Sequence, residues 1–365
     1  MRRARAGPGA DAPPGPPPCA DGRAQVAVRP ALRRPHLRTH RMAGDHRRHP
    51  PPAPPPACVD RRRTDQVPPA AATALPARRL ADRPPRSARI QGMTPASPAL
   101  RLVHLSDLHF GAQAPGAAQL LLDAVVALSP QLTLITGDLT QRARNSQFIA
   151  ARQFFDQLPG DWLAIPGNHD MPLFRPWHRL FTPRGRYRRH IGDATTSHVD
   201  WQQLRLALID STNPLSWRSG RVRSAAARDA AQWLAGGSDG QLRIAAAHHP
   251  FATRERGNKG GMAGANLARN LLIDEGGADL LLWGHLHRSE VRLLSSDSGR
   301  NAIGIGVGSP TSGRHSAEGL FFHQLDVTPG HVHLVVWRRH MAESVFHPVG
   351  NHRFVLGSAG WQAVV

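Results

Sequence analysis

The chain has 365 residues and a formal net charge of +20, a length that suits one large domain or two smaller ones. Both of its cysteines, Cys19 and Cys58, lie in the first sixth of the chain, which excludes disulfides and thiolate metal sites from the rest. No apolar run has the length of a membrane span, and the start Met1-Arg2-Arg3 is not followed by the apolar stretch of a secretory signal. We therefore expect a cytoplasmic protein without a membrane partner.

Residues 1–92 differ from the remainder in composition. They contain none of the 8 Trp, 11 Phe or 1 Tyr, but they hold 19 of the 33 Pro and 19 Arg against 6 Asp. With so little apolar surface to offset the entropy of ordering, we predict a disordered leader, followed by a single domain over 93–365. We expect that translation starts at Met93 and that the leader results from start-site assignment. The alternative is a genuine basic arm that binds nucleic acid.

From residue 100 onward, short apolar runs alternate with helical patterns. Leu100–Leu105 alternates as a strand does, and Ala117–Leu128 has helical spacing and stops before Pro130. This alternation predicts right-handed crossovers and a largely parallel sheet, with ligands beyond the carboxyl ends of its strands. The other elements predicted in this half are strands at Leu132–Thr136 and Trp162–Ile165 and a helix at Ser146–Leu158.

The second half opens with a basic stretch, Arg184–His190, for which we predict irregular structure. Strand and helix patterns then resume, and the chain from Asn301 onward has the pattern of a β-meander. The predicted strands are Leu204–Ile209, Leu242–Ala247, Leu280–Trp283, Ala302–Val307, Leu320–Val327 and His331–Trp337, and the predicted helices are Val222–Leu234 and Asn266–Asp274.

Five motifs rich in carboxylate, amide and imidazole groups come directly after predicted strands. Each alone is weak evidence, because Gly-Asp is an ordinary turn and a single buried histidine more often has a structural role. Five motifs of compatible chemistry at five strand ends favour a site for two divalent metals. They are Asp107-Leu108-His109, Gly137-Asp138, Gly167-Asn168-His169-Asp170, His248-His249-Pro250 and Gly284-His285-Leu286-His287.

The residue types suit such a site. Asp107 and His109 lie in a loop, so both can face one metal, and Asp138 can bridge two cations with its two oxygens. Asn168 offers a neutral oxygen, which limits the negative charge that an anionic substrate must approach. Nitrogen and oxygen ligands without a thiolate suit Mn, Fe, Zn, Co or Ni.

The order of these motifs resembles that of the calcineurin-like metallophosphoesterase superfamily, and the resemblance covers residues 100–340. It implies an α/β fold of four layers, α/β/β/α, in which two packed mixed sheets are flanked by helices. It also implies two divalent metal ions bridged by Asp138, and a role for His169 at the leaving group rather than as a ligand. The other implied ligands are Asp107, His109 and His287 for the first metal, and Asn168, His248 and His285 for the second.

The resemblance further implies that a metal-bridging hydroxide attacks phosphorus in line, while His169 acts as general acid or stabilises the departing oxygen. Asp170 would orient its neighbours, and His104 belongs structurally to its strand. Arg142 and Arg144 are candidates for binding the substrate phosphate, but a solvated helix start is the favoured interpretation.

Among members of the superfamily, the compact motif set is most similar to the bacterial class III cyclic nucleotide phosphodiesterases, which open a 3′,5′-cyclic nucleotide to the 5′-monophosphate. We therefore predict a phosphodiesterase with a small-molecule phosphodiester substrate. A DNA-repair-type exonuclease and a promiscuous phosphomonoesterase are the alternatives, and the basic stretch Arg184–Arg189 could serve a longer or more anionic substrate. The nuclease is less favoured because no segment after about residue 340 is long enough for a DNA-positioning cap. Outside enzymes, there are two alternatives. One is a non-catalytic binding protein that kept a decayed fold, which the complete ligand set argues against, and the other is nucleic-acid binding through the leader.

Overall fold

The computed structural model describes residues 100–173, 176–192, 196–252, 260–312, 318–358 and 360–364, with only the backbone at 196 and 197. The strands, in chain order, are β1 (Leu100–Leu105), β2 (Leu132–Ile135), β3 (Asp161–Ala164), β4 (Thr196–Trp201), β5 (Leu204–Ile209), β6 (Gly220–Arg221), β7 (Leu242–Ala247), β8 (Met262–Ala263), β9 (Leu280–Trp283), β10 (Glu290–Ser295), β11 (Asn301–Gly306), β12 (Leu320–Thr328), β13 (His331–Arg339), β14 (His347–Gly357) and β15 (Gly360–Val364). The helices are α1 (Ala117–Leu128), α2 (Asn145–Phe155), α3 (Pro176–Phe181), α4 (Gly185–His190), α5 (Ser224–Ala235) and α6 (Ala265–Asn270), and α6 continues into a π-helical turn at Leu271–Glu275.

Two mixed sheets form the centre of the part of the chain that the structure describes. The first has the order β15-β14-β13-β12-β1-β2-β3, in which β1, β2 and β3 are parallel and the other pairs are antiparallel. The second has the order β10-β11-β9-β7-β5-β4, with parallel pairing from β11 to β5 and an antiparallel strand at each edge. Strands β6 and β8 form a separate small parallel pair.

The two sheets pack face to face through an apolar core. Leu102 and Leu134 of the first sheet belong to the same buried cluster as Leu206 and Leu282 of the second. Each of these side chains is at most 2% exposed, and full burial of a leucine contributes about 1.5–3 kcal/mol. Alternation along the strands sends the neighbouring residues to the outer faces.

Helices cover both outer faces. On the first sheet, Leu121 of α1 and Phe148 of α2 pack with Val103 of β1. On the second sheet, Ala230 of α5 and Leu272, which follows α6, pack with Leu281 of β9. This arrangement confirms the predicted four-layer α/β/β/α class of two packed mixed sheets flanked by helices.

Two predictions about local structure were wrong. Arg184–His190 is not irregular, because α4 is anchored by buried Tyr187, whose hydroxyl donates to the Ala164 carbonyl at 2.8 Å. The surrounding arginines conceal this single apolar anchor in the sequence. Residues 302–307 also do not belong to the meander, because β11 pairs in parallel with β9 in the second sheet. A strand's partner depends on tertiary packing, which its own pattern does not encode.

Several elements were absent from the sequence prediction, namely α3, β4, β6, β8, β10, β14 and β15. The sheet that was expected to be largely parallel is mixed, because most of the omitted strands pair antiparallel with their neighbours. The predicted disorder of residues 1–92 and the proposed start at Met93 lie outside the described residues. Among the described helices, none is long and apolar enough to cross a membrane.

Candidate metal centre

The loops after β1 and β2 are joined by a short ladder of backbone hydrogen bonds. The Asp107 amide donates to the Gly137 carbonyl, and the His109 amide donates to the Asp138 carbonyl, both at 2.9 Å. Parallel pairing of β1 with β2 brings the carboxyl ends of the two strands to the same edge of the sheet. The Asp-x-His and Gly-Asp motifs therefore meet because their strands are neighbours.

The backbone of the candidate ligands is unusual. Among the described residues other than glycine, eight have a left-handed φ, and five of these are predicted ligands. Such a conformation is costly for a side-chain-bearing residue and is concentrated at functional sites, where the surroundings enforce it. The five are Asp107 (φ 55°), His109 (φ 47°), Asp138 (φ 51°), His285 (φ 69°) and His287 (φ 53°).

Glycines in the motifs allow these loops to approach one another. A Cβ added at Gly167 would overlap the backbone nitrogen and the carboxylate of Asp138. A Cβ at Gly284 would lie 2.6 Å from Asp107 Oδ2, and one at Gly137 would lie 2.6 Å from His248 Nδ1. The glycines next to Asn168, His285 and Asp138 are therefore required by space, and Gly137 is also required by its left-handed φ of 98°.

The first group of donor atoms comprises Asp107, His109 and His287. The Nε2 atoms of the two histidines are 3.2 Å apart, and Asp107 Oδ1 lies 3.2 Å from His287 Nε2 and 3.7 Å from His109 Nε2. Two atoms bound at about 2.1 Å to one tetrahedral ion are about 3.4 Å apart, so these separations match a shared cation. Asp107 Oδ1 is buried and has no hydrogen bond among the described residues, whereas Oδ2 accepts one from the His285 amide at 2.8 Å.

The second group comprises Asp138, Asn168 and His248. His248 Nδ1 donates to the Thr136 carbonyl at 2.7 Å, so Nε2 is the atom directed at Asn168 Oδ1 (3.1 Å) and Asp138 Oδ2 (3.4 Å). Three electron-pair donors thus point toward one region, which fits a cation there. The ring of His285 lies 5.1 Å from that of His248, between centroids, at the edge of this group.

Asp138 lies between the two groups. Its Oδ2 is 3.9 Å from His109 Nε2 of the first group and 3.4 Å from His248 Nε2 of the second. Its Oδ1 accepts a hydrogen bond from the His169 amide at 2.8 Å, which fixes the carboxylate plane. The structure brings all seven predicted ligands together in one site.

The charges of the site are strongly coupled. Burial alone would raise the pKa of Asp138, but His248 and His169 outweigh it and hold that pKa well below its usual range. Burial alone would lower the pKa of His248, but Asp138 outweighs it and raises the pKa to about 9. Burial lowers the pKa of His109 and of His285 to about 4. The Asp138 carboxylate therefore stays anionic and the His109 and His285 imidazoles stay neutral, which are the states that bind cations, whereas His248 carries a proton that a bound cation would displace.

His169 and Asp170 have different surroundings. His169 Nδ1 donates to the Gln141 carbonyl at 2.9 Å, so Nε2 points away from that carbonyl. The His169 ring is edge-on to the His109 ring, with 4.8 Å between the ring centroids. The Asp170 carboxylate is buried and accepts from the amides of Leu139, Thr140 and Gly167 at 2.8–3.0 Å. Asp170 thus ties the Gly-Asp loop to the Gly-Asn-His-Asp loop, as expected for an orienting residue.

Two further histidines have structural surroundings. His249 Nε2 donates to the Arg218 carbonyl at 3.2 Å and Nδ1 accepts from the Ser211 hydroxyl at 2.8 Å, so both ring nitrogens are occupied. This distinguishes it from its neighbour His248, a distinction that the sequence alone leaves open. His104 is buried in β1 and its Nε2 lies 2.9 Å from Thr136 Oγ1, as predicted for a residue of the strand.

A cavity of about 620 Å³ opens over the donor groups. His109, Asp138 and His169 line it, and so does Arg142, one of the two candidate phosphate contacts. Two lining residues, Trp217 and Arg218, were missed in the sequence because they lie in a loop without a motif. Only their aromatic and cationic chemistry could have marked them. The basic stretch does not line this cavity.

The arginines at the start of the basic stretch have structural partners instead. Arg184 pairs with Asp210 and donates to Thr212 Oγ1 at 2.7 Å. Arg186 donates to the Ala143 carbonyl at 2.7 Å. Both residues therefore attach α4 to the fold.

A model of the calcineurin-like phosphoesterase family matches residues 100–289. The chain belongs to this family. The match spans all five motifs, and members of the family use a dinuclear divalent metal centre. The two donor groups and the unbonded carboxylate oxygen of Asp107 fit such a centre. The donor atoms of Asp107, His109 and His287 lie within 4.8 Å of one another, and so do those of Asp107, Asp138 and His248.

Solved structures of the family fold are similar to this chain at low identity. A purple acid phosphatase from yellow lupin (Lupinus luteus) is 14% identical with a TM-score of 0.48, and the match covers 66% of this chain and 51% of the lupin protein. The chain thus spans about half the length of that phosphatase. A dimetal phosphatase from Danio rerio is 14% identical over 69% of this chain and 99% of its own, with a TM-score of 0.48.

Vps29 complexed with Zn²⁺ from Entamoeba histolytica is 13% identical over 68% of this chain and 98% of its own, with a TM-score of 0.38. No curated protein matches the sequence.

Proposed function

We propose that this member of the family is a phosphodiesterase that uses two divalent metals, and that a 3′,5′-cyclic nucleotide is its substrate. The observation that carries the proposal is the position of the Asp138 carboxylate between the two donor groups, 3.9 Å from His109 Nε2 and 3.4 Å from His248 Nε2. We assign Asp138 as the shared ligand. The other proposed ligands are Asp107, His109 and His287 for one ion, and Asn168, His248 and His285 for the other.

When bound, Mn, Fe, Zn, Co or Ni ions would supply an activated water and neutralise charge on the phosphoryl oxygens. The residues of the chain hold and orient the reactants. Hydrogen bonds from the Gly167, Leu139 and Thr140 amides to Asp170 keep the two ligand-bearing loops in one arrangement. Such preorganisation supports catalysis because it avoids rearrangement during the reaction.

His169 is the proposed general acid. Its Nδ1 is held by the Gln141 carbonyl, and the residue lines the cavity, so its Nε2 is the nitrogen available to a departing oxygen. A positioned proton donor of this kind contributes typically about 10²- to 10⁴-fold to the rate.

The shape of the cavity supports a small substrate. Its volume of about 620 Å³ is in the range of small-molecule sites, and Arg142 and Arg218 add positive charge to its wall. A DNA-repair-type exonuclease and a promiscuous phosphomonoesterase are the competing activities. A cytoplasmic location and the absence of a membrane partner stay predictions.

The test is hydrolysis by the full-length protein loaded with Mn²⁺. The substrates are 3′,5′-cyclic AMP, bis(p-nitrophenyl) phosphate, p-nitrophenyl phosphate and single-stranded DNA. We expect cyclic AMP to have the highest kcat/KM, and we expect His169→Ala to lower kcat by about 10²- to 10⁴-fold at unchanged metal content. His178→Ala, at an exposed position of α3, is the matched control. Preference for DNA or for the monoester would overturn the proposed substrate, and full activity of His169→Ala would overturn its role.

A further inference from the structure

Trp217 stands at the rim of the cavity with 65% of its surface exposed. It lines the same cavity as His109 and His169. Exposure of so large an apolar ring is unfavourable in water, and residues of this type at the mouth of a pocket are frequent ligand contacts.

The loop that carries Trp217 is braced internally. Ser216 Oγ accepts hydrogen bonds from the amides of Ser219 at 2.8 Å and Arg218 at 3.4 Å. Asn213 Oδ1 accepts one from the Leu215 amide at 3.0 Å. These side-chain bonds to nearby amides replace the ladder that a loop lacks and restrict its backbone.

Helix α3 holds the loop from one side. Arg179 is only 5% exposed, and its guanidinium donates to the carbonyls of Pro214 at 2.7 Å, Ser216 at 2.5 Å and Asn213 at 3.4 Å. A guanidinium presents several donors in a fixed plane, so one side chain can hold three carbonyls of the loop backbone at once.

The metal centre holds the loop from the other side. Asn168 Nδ2 donates to the Trp217 carbonyl at 3.1 Å, and His249 Nε2 donates to the Arg218 carbonyl at 3.2 Å. Asn168 is a proposed metal ligand, and His249 is next in sequence to His248, which is another proposed ligand. The backbone that carries the indole is therefore fixed relative to the place where phosphorus would be held.

We infer that Trp217 is a specificity residue whose indole stacks on a planar aromatic group of the phosphodiester, such as a nucleobase. The inference rests on the proposed function, which places the phosphate over the donor groups. An apolar ring on a fixed backbone is suited to stacking, because little conformational entropy is lost when the ligand binds. Arg218, the next residue on the same rim, supplies positive charge toward the anionic part of such a ligand.

The experiment compares two diesters, 3′,5′-cyclic AMP and glycerophosphoglycerol, which has neither an aromatic ring nor a cationic group that could interact with an indole. Base stacking lost on alanine substitution lowers affinity by about 10- to 100-fold. We expect Trp217→Ala to lower kcat/KM for cyclic AMP by about this factor and to leave kcat/KM for glycerophosphoglycerol nearly unchanged. We expect Trp217→Phe to restore most of the loss. Trp177→Ala, at a tryptophan that is 73% exposed on α3 and does not line the cavity, is the matched control.

A binding measurement separates this inference from the proposed function. Calorimetry on the full-length protein should show tighter binding of adenosine 5′-monophosphate than of ribose 5-phosphate, and Trp217→Ala should remove the difference. An equal loss for both diesters, or no loss for either, would overturn the stacking role. If the wild-type protein hydrolyses no diester, the proposed function fails, and the binding difference still decides the role of Trp217.

Discussion

At the scale of single residues, the two oxygens of Asp138 have different neighbours. Oδ1 is fixed by the His169 amide, whereas Oδ2 faces a histidine from each donor group. An asparagine at this position would present one oxygen and an N–H donor, and it would remove one negative charge from the centre. The bridging role therefore depends on the carboxylate itself.

We predict that Asp138→Asn lowers the metal content of the purified protein from two ions per chain to one or none. The reason is that a neutral amide oxygen attracts two cations less strongly than the carboxylate oxygen Oδ2, which faces both donor groups. Inductively coupled plasma mass spectrometry on the metal-loaded protein measures this. Asp123→Asn, at an exposed position of α1, should keep two ions. Two ions retained by Asp138→Asn would contradict the bridging assignment.

We predict that Gly167→Ala disrupts the centre through space alone. Its Cβ would overlap the Asp138 backbone and carboxylate, which cannot move aside as a flexible side chain would. Overpacking of this kind costs about 1–3 kcal/mol, so chemical denaturation should show that loss together with lost metal binding. The control is Gly261→Ala, where an added Cβ meets nothing within 4 Å and φ is likewise outside the left-handed region. If both variants bound metal equally well, the close contact between Gly167 and Asp138 would not be required for the metal centre.

At the scale of elements, the antiparallel register of β1 with β12 places His104 opposite His323 in the interior of the first sheet. The His323 Nε2 atom lies 2.8 Å from the Ser289 hydroxyl, and the two imidazole rings are 6.1 Å apart. Burial lowers the pKa of His104 to about 3, and burial with the nearby His104 holds the pKa of His323 well below its usual value. Both rings are therefore neutral in the folded protein.

This pair predicts a loss of stability in acid. The folded-state pKa of His323 is depressed, so below the unfolded pKa of about 6.5 the unfolded chain binds more protons, and stability falls as the pH drops toward the folded pKa. Between pH 7.5 and pH 5.5, wild type should lose about 1.4 kcal/mol more than His323→Gln. Urea denaturation with chelator present measures this, since the chelator separates the effect from metal release. His331→Gln, at an exposed position of β13, should lose as much unfolding free energy between these pH values as wild type does. If His323→Gln also lost as much as wild type, the prediction would be refuted.

At the scale of the whole molecule, the proposed centre draws its ligands from both sheets. Asp107, Asp138 and Asn168 follow strands of the first sheet, and His248 and His285 follow strands of the second. Bound metals would thus join the carboxyl-terminal edges of the two sheets. A ligand that binds only the folded state stabilises that state by mass action.

Removal of metal should therefore lower the melting temperature of the whole domain. At a free metal concentration of 100 times Kd, the stabilisation is about 2.7 kcal/mol per site. Differential scanning calorimetry with Mn²⁺ and then with excess chelator measures the shift, and Asp138→Asn should show a smaller one. An unchanged melting temperature in wild type would argue against metals that link the sheets.

The sequence by itself determined the features that depend on local pattern. Strands β1, β5, β7 and β9 have the predicted ends, because apolar alternation or a short apolar run stops at turn-forming and polar residues there. The motifs at those ends indicated the donor chemistry, since the residue types alone define which atoms can bind a cation. The family resemblance supplied the second sheet, which the strand–helix alternation had not indicated.

Only the tertiary structure decided which groups face one another. It separated His248 from His249 through their hydrogen-bond partners, and it placed β11 beside β9. It also brought Trp217 to the cavity, through bonds from Arg179 to Ser216 and from Asn168 to Trp217 that span 37 and 49 residues of chain. A local pattern fixes which side of an element is apolar, but the partner of a loop or an edge strand is chosen by packing between segments that are distant in sequence.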